Sequence, residues 1–344
     1  MSERVLAILE PESEYANLFL NFVEDKQEFP YKIRVFTKKQ ALLEYMEKTE
    51  VTVLLAAEQS NCMQLKEKCR KIILLTDTKG AATDNEESCI YKFQSAGQIL
   101  KEVFQICSEE GKESACMYLP KKSHVARQYG VFSPYGGIGK TTLAMVLGHL
   151  LGKQQKVLIV NLEPFSKNYP WMQYRTGQGI SQLVYYIIQG YADLDIKLAA
   201  MVESVGNTAY LCGPEHYLDL QAMKAEQMEK LLTALEQYSN YDVILYDISL
   251  VNQAMWNVCK RCDRILEPVF EEEKDSMPVW AKSLSESEWD VIKKKRSSVV
   301  VPRIQEQYSS IEYISQGNFG NAVKAWMKKE NIVRKNYRSK FVKV

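Results

Sequence analysis

Gly136, Gly137 and Gly139, followed at once by Lys140, Thr141 and Thr142, are the residues of this chain best suited to hold a phosphate. They lie in SPYGGIGKTT, residues 133–142. Glycines let a backbone curl until successive N–H groups, here those of Gly136, Gly137, Ile138 and Gly139, face one anion. The N-terminus of the following helix adds partial positive charge. Lys140 would meet the terminal phosphates, and the Thr141 hydroxyl would ligate Mg²⁺. The flanks agree. GVFS is an apolar strand, and TTLAMVLGHLL is a helix with Leu143, Leu147 and Leu150 on one face. Strand, glycine loop and helix are the context that a phosphate loop requires. The general pattern would open with glycine at 134, where this chain has Pro134.

Such a loop needs an acid for its metal. YDVILYDIS, residues 241–249, is an apolar strand that ends at Asp247, where a carboxylate can hold a metal-bound water. Asp242 opens that strand and reads as solvated.

The elements that position these groups recur along the chain. Residues 1–109 alternate apolar strands (RVLAILE, YKIRVFT, VTVLLAA, RKIILLTD, CIYKFQS) with amphipathic helices. Five strands alternating with five helices imply a doubly wound parallel sheet. Residues 110–127 suit a linker, with Gly111, Pro120 and many charges. From 128 to 344 a second alternation follows, with strands at QYGVFS, KVLIVNLE, TAYLCG, DVILYDIS, DRILEPVF and SVVVPRI. The fold class is therefore α/β, two doubly wound and mainly parallel domains, the first flavodoxin-like and the second a P-loop NTPase.

A length of 344 residues allows each domain its own core, and a formal net charge of +1 argues against a chain that coats nucleic acid along its whole surface. The N-terminus lacks the pattern of a signal peptide, and no stretch reaches the roughly 20 apolar residues of a membrane span. The expected location is cytoplasmic, with a pole or the inner membrane face as the site of peripheral contact. Eight scattered cysteines suit reduced thiols. Cys259 and Cys262 form the one C-x-x-C and read as structural, and three histidines make a His-based metal site improbable.

GGIGKTT (136–142), KVLIVNLEP (156–164) and YDVILYD (241–247) resemble the ParA/MinD group of deviant Walker A ATPases, as do LCGPEHYLDL (211–220) and VVVPR (299–303). The resemblance covers roughly residues 126–325. It implies ATP and Mg²⁺ as cofactors, a face-to-face homodimer around two nucleotides, and slow hydrolysis. It places Pro302 and Arg303 with the nucleotide, Thr141 and Asp247 on the metal, and Lys140 and Glu163 in catalysis. That group carries a signature lysine just before the double glycine, and Tyr135 stands there. A phenol donates one hydrogen bond and brings no cation to developing phosphate charge. Where the group shows D-x-D, this chain reads Asn161-Leu162-Glu163. Glu163 keeps a carboxylate able to orient water, while Asn161 has lost a charge. Binding parts are kept and hydrolysis parts weakened, which makes any enzyme here a slow ATPase.

The first domain resembles a response-regulator receiver, with Thr76 ending its fourth strand and Lys92 in YKF of its fifth. Ala56 stands where the phospho-acceptor aspartate would end the third strand, and the acidic cluster is thinned to Glu10 before Pro11. The domain is expected to dock rather than to be phosphorylated. A degenerate receiver joined to a ParA/MinD-like ATPase resembles the TadZ/CpaE proteins of type IV (tight adherence, Flp) pilus assembly. That implies pilus or secretion machinery as partners. An ATP-holding scaffold and a ParA-like DNA-partitioning ATPase stay open as alternatives. The tail KAWMKKENIVRKNYRSKFVKV is basic and suits a membrane surface, a nucleic-acid patch or a solvated helix.

Overall fold

The computed structural model describes residues 4–25, 31–60, 62, 65, 68–78, 88–109, 125–165, 179–191, 194–249, 252–274, 278–304 and 310–332. Two compact units emerge, Met1–Pro120 with Gly190–Ala200, and Lys121–Gln189 with Met201–Val344. The basic tail beyond Ile332 and most of the linker lie outside the described residues.

In the first unit the chain runs β1 (Val5–Leu9), α1 (Ser13–Asp25), β2 (Lys32–Phe36), α2 (Lys39–Met46), β3 (Val51–Ala57), β4 (Cys69–Thr76), β5 (Ser88–Tyr91) and α3 (Ala96–Glu109). Its sheet order is β2-β1-β3-β4-β5, all parallel. This is the doubly wound order of flavodoxin-like folds. Side chains alternate across a strand, so β1 feeds two cores. Leu6 and Ile8 join Phe19, Ile99, Val103 and Phe104 from α1 and α3. Val5, Ala7 and Leu9 join Leu42 of α2 on the other face. Burial of both faces explains why these strands read as unbroken apolar runs. Ile196 and Ala200, from the helix Leu194–Met201, also pack into the first of these cores, and Asp195 pairs with Arg4 at 3.1 Å. The sequence reading placed this segment wholly with the second domain. Its period is helical, and nothing in it marks which core it enters.

The first strand of the second unit is β6 (Arg127–Phe132), which begins on the last residue of the expected linker. It continues with α4 (Lys140–Leu151), β7 (Val157–Leu162) and α5 (Ile180–Ile188), after which the chain passes through α6 (Leu194–Met201). Then come β8 (Glu203–Val205), β9 (Thr208–Leu211), α7 (Tyr217–Gln221), α8 (Ala225–Tyr238), β10 (Val243–Ile248) and α9 (Gln253–Arg261). The chain closes with β11 (Arg264–Val269), α10 (Glu286–Lys295), β12 (Arg296–Val300), α11 (Ile311–Gln316) and α12 (Asn318–Lys329). The sheet order is β12-β11-β6-β10-β7-β9-β8, parallel except for the β8–β9 pair. The short β8 escaped the sequence reading because three residues carry no period.

α4 is buried along most of its length and packs, with α11 and α12, on one face of this sheet. Leu143, Val146 and Leu147 meet Ile311, Ile314, Phe319 and Val323 there. The strand order puts β10 at the centre, flanked by β6 and β7, so loops leaving these three parallel strands gather at one edge. Open α/β sheets bind ligands outside the carboxyl ends of their strands.

Candidate functional site

β6 is followed by a buried Ser133, whose hydroxyl accepts the Tyr135 backbone N–H at 3.3 Å. Between them and α4 the chain turns through Gly137 and Gly139, at φ +75° and +92°. That left-handed region costs a residue with a Cβ roughly 1–2 kcal/mol, which is why glycine stands at both positions. A Cβ on Gly136 or Gly137 would meet nothing within 4 Å, so the hollow in front of the loop is open. Gly139 caps α4 without any side-chain bond to the helix amides. The first N–H groups of that helix are thus left for a ligand.

Lys140 is almost fully buried. Its ammonium donates to the Tyr135 carbonyl oxygen at 3.0 Å and lies 3.5 Å from Glu163 Oε1. The Tyr135 ring points outward and is about half exposed. Glu163 follows β7 directly. Its backbone N–H donates to Asn161 Oδ1 at 2.8 Å, so the asparagine that replaces an acid fixes the turn carrying the remaining acid.

Asp247 is completely buried near the end of β10. Strand register sets it level with Asn161 on β7 and Val131 on β6. Neither of its oxygens has a hydrogen-bond partner of ordinary geometry. Burial pushes its carboxyl up to about 7, and the nearby Glu163 charge adds to this. The Thr141 hydroxyl and Lys140 act the other way. A buried carboxylate without partners is costly and is normally paired or bound to metal. Asp247 beside Thr141, facing an open glycine loop and a lysine, fits a magnesium-bound polyphosphate.

The residues after β12 are arranged differently from the sequence reading. The Arg303 guanidinium sits 4.0 Å from the centre of the Phe270 ring, and Pro302 is half-buried. It is Ile304 that approaches the loop, with Cδ1 3.8 Å from where a Cβ would stand on Gly139; Phe319 of α12 comes to 3.4 Å. Both are ordinary apolar residues in sequence, and no pattern marks them. Asp242, read as solvated, instead accepts the Lys156 backbone N–H at 2.9 Å and ties β10 to the start of β7.

The first unit has its own acidic pocket. Ala56 is fully buried at the end of β3, level with Leu9 and Leu74. Glu10 is buried, and the Lys92 ammonium lies 3.1 Å from both Glu10 Oε2 and Glu12 Oε2. Glu12 also donates its backbone N–H to Glu10 Oε1 at 3.0 Å. The acidic pair is therefore not thinned to Glu10. Pro11 turns the chain so that the second acid comes one residue later. Tyr15 donates its hydroxyl to the Lys92 carbonyl at 2.9 Å, and burial pushes its phenol up to about 12. The Thr76 hydroxyl donates to the Thr78 carbonyl at 3.2 Å. Among the described residues no cluster of three or more metal-ligating side chains forms.

Residues 2–108 match the family model described as "TadZ-like, receiver domain". This segment is therefore similar to TadZ-like receiver domains. In it Ala56 is buried near the end of β3, and Lys92 pairs with both Glu10 and Glu12. No curated relative matches the chain.

Among solved structures, a ParA family ATPase from Chlorobium tepidum aligns with TM-score 0.44 and 15% identity, over 58% of this chain and 98% of its own. A cobyrinic acid a,c-diamide synthase from Mycobacterium smegmatis with bound ATP analog and magnesium gives TM-score 0.40 and 17% identity, over 60% and 82%. A plasmid partition protein from Borrelia burgdorferi bound to AMPPNP gives TM-score 0.39 and 16% identity, over 60% and 100%.

Proposed function

We propose that the second unit binds MgATP, uses it to drive homodimerisation, and hydrolyses it very slowly. The observation that carries this reading is Asp247, a buried and unpartnered carboxylate next to an open glycine loop and Lys140. Mg²⁺ supplies neutralisation of phosphate charge when bound, with Asp247 and the Thr141 hydroxyl as the residues that hold it. Backbone N–H groups of Gly136 to Thr142 cradle the phosphates, and Lys140 orients and balances the terminal one. Glu163 is the base-side group that can align water. Slow turnover follows from Tyr135, which leaves the loop without a second lysine.

The TadZ-like receiver domain supports a role in placing or assembling a pilus or related secretion complex. The neutralised pocket around Lys92 suits a docking module. The assignment of Pro302 and Arg303 to the base of the nucleotide belongs to the same proposal. Peripheral contact of the basic tail with membrane belongs to the same proposal. Among the described residues no helix is long and apolar enough to cross a membrane.

Sedimentation of the full chain with and without MgATP, alongside phosphate release, tests the reading. Dimerisation with very slow release is expected. Dimerisation with no release at all favours a scaffold in which ATP is structural. Salt-sensitive DNA binding at physiological ionic strength favours partitioning. Absence of any response to MgATP rejects nucleotide binding.

A further inference from the structure

We propose that Glu163 is an internal competitor for the phosphate site, which sets how tightly the loop takes a polyphosphate. This rests on the nucleotide reading above. The buried Lys140 ammonium has two partners, the Tyr135 carbonyl at 3.0 Å and the Glu163 carboxylate at 3.5 Å. Both would compete with a terminal phosphate, because an ammonium has only three donor directions. The distance to Glu163 is longer than the roughly 2.7–2.9 Å of a strong charge-assisted bond. The carboxylate therefore balances the charge without gripping it.

Two further features suit release. The Glu163 side chain is 18% exposed, so a small rotation carries it to water, while Lys140 is only 7% exposed and stays in place. The Glu163 backbone is fixed by Asn161 Oδ1, so the exchange needs only the side chain to move. An incoming polyphosphate takes over the ammonium, and the displaced carboxylate moves off the site where it also repels Asp247. Glu163 is then free of its cation and able to meet water on the far side of the phosphate. With Asn161 uncharged, β7 offers Lys140 one competing anion rather than two.

Calorimetric titration of the full-length chain with inorganic pyrophosphate and with MgATP tests this. Glu163→Gln is expected to bind pyrophosphate about tenfold tighter than wild type, the order of one lost charge-assisted contact in the empty state. It should also melt at lower temperature when empty, since Lys140 loses its counterion. Glu163→Asp, with the carboxylate drawn back by one methylene, should lie between the two and decides the matter if the glutamine variant does not fold. In a Lys140→Ala background the Glu163→Gln effect should vanish. Equal or weaker pyrophosphate binding by both Glu163 variants, with wild type binding and Lys140→Ala not, overturns the competitor and leaves the nucleotide reading standing. Failure of wild type to bind either probe overturns both.

Discussion

Asp247 of β10 and Asn161 of β7 are paired in register across the sheet, and both are buried. Asn161 spends its oxygen on the Glu163 amide, while neither Asp247 oxygen has a hydrogen-bond partner of ordinary geometry. One strand level thus holds a capping amide and an orphan acid. Asp247→Asn should remove the buried charge and stabilise the empty protein above about pH 7, where the carboxyl is ionised. The same variant should lose the stabilisation by MgATP, which for wild type at 100 times its Kd is about 2.7 kcal/mol. Urea denaturation with and without MgATP measures both. A variant less stable when empty would show that Asp247 has a structural partner.

In the proposed dimer Tyr135 is expected to limit turnover. Its carbonyl holds Lys140 and its ring faces out, so the side chain can be exchanged without disturbing that bond. Tyr135→Lys is expected to raise phosphate release, by no more than about 10²- to 10³-fold, the usual worth of one electrostatic donor. Glu163→Ala should suppress the gain. Rapid release by monomeric wild type, unchanged in Glu163→Ala, would reject both roles.

The segment similar to TadZ-like receiver domains should resist phosphorylation. Incubation with acetyl phosphate, followed by intact mass measurement, should show no acid-labile adduct on residues 1–109. Lys92→Met should destabilise the protein by about 3 kcal/mol, since Glu10 keeps a buried charge without its cation. A thermal or urea melt of that variant checks the second point, and a stoichiometric adduct would refute the first.

His149 on α4 makes stability fall in acid. It is buried, and its Nδ1 accepts the Asn207 backbone N–H at 3.4 Å, which requires the unprotonated ring. Burial lowers its pKa below the usual 6.5; Glu312 of α11 pulls it up and Lys153 pushes it down. A lowered folded value means that the unfolded chain binds the proton first. The contribution is therefore present above pH 6.5 and lost as pH falls through the folded value, at up to about 1.4 kcal/mol per pH unit. His149→Gln keeps an acceptor that does not titrate and should flatten that slope between pH 5 and 7. An unchanged slope would remove His149 from the acid response.

Local order alone determined much of this protein. The glycine loop was legible because its parts are contiguous. An apolar strand, glycines at +75° and +92°, and a helix starting at Lys140 follow one another within twenty residues. The two doubly wound alternations were legible for the same reason, since period and punctuation are local. The loss of the acceptor at Ala56 needed only the end of one strand.

Tertiary structure decided what joins distant positions. Glu163 meets Lys140, Glu12 shares Lys92 with Glu10, and Asp242 bonds Lys156, none of which a period records. Ile304 and Phe319 reach Gly139 because strand order and helix packing bring them there. Residues 190–200 enter the first unit's core though they follow α5 of the second. A residue's type and neighbours fix its backbone tendency. Which charge faces which, and which apolar side chain closes a loop, depends on strand register and helix packing over separations that the local sequence does not encode.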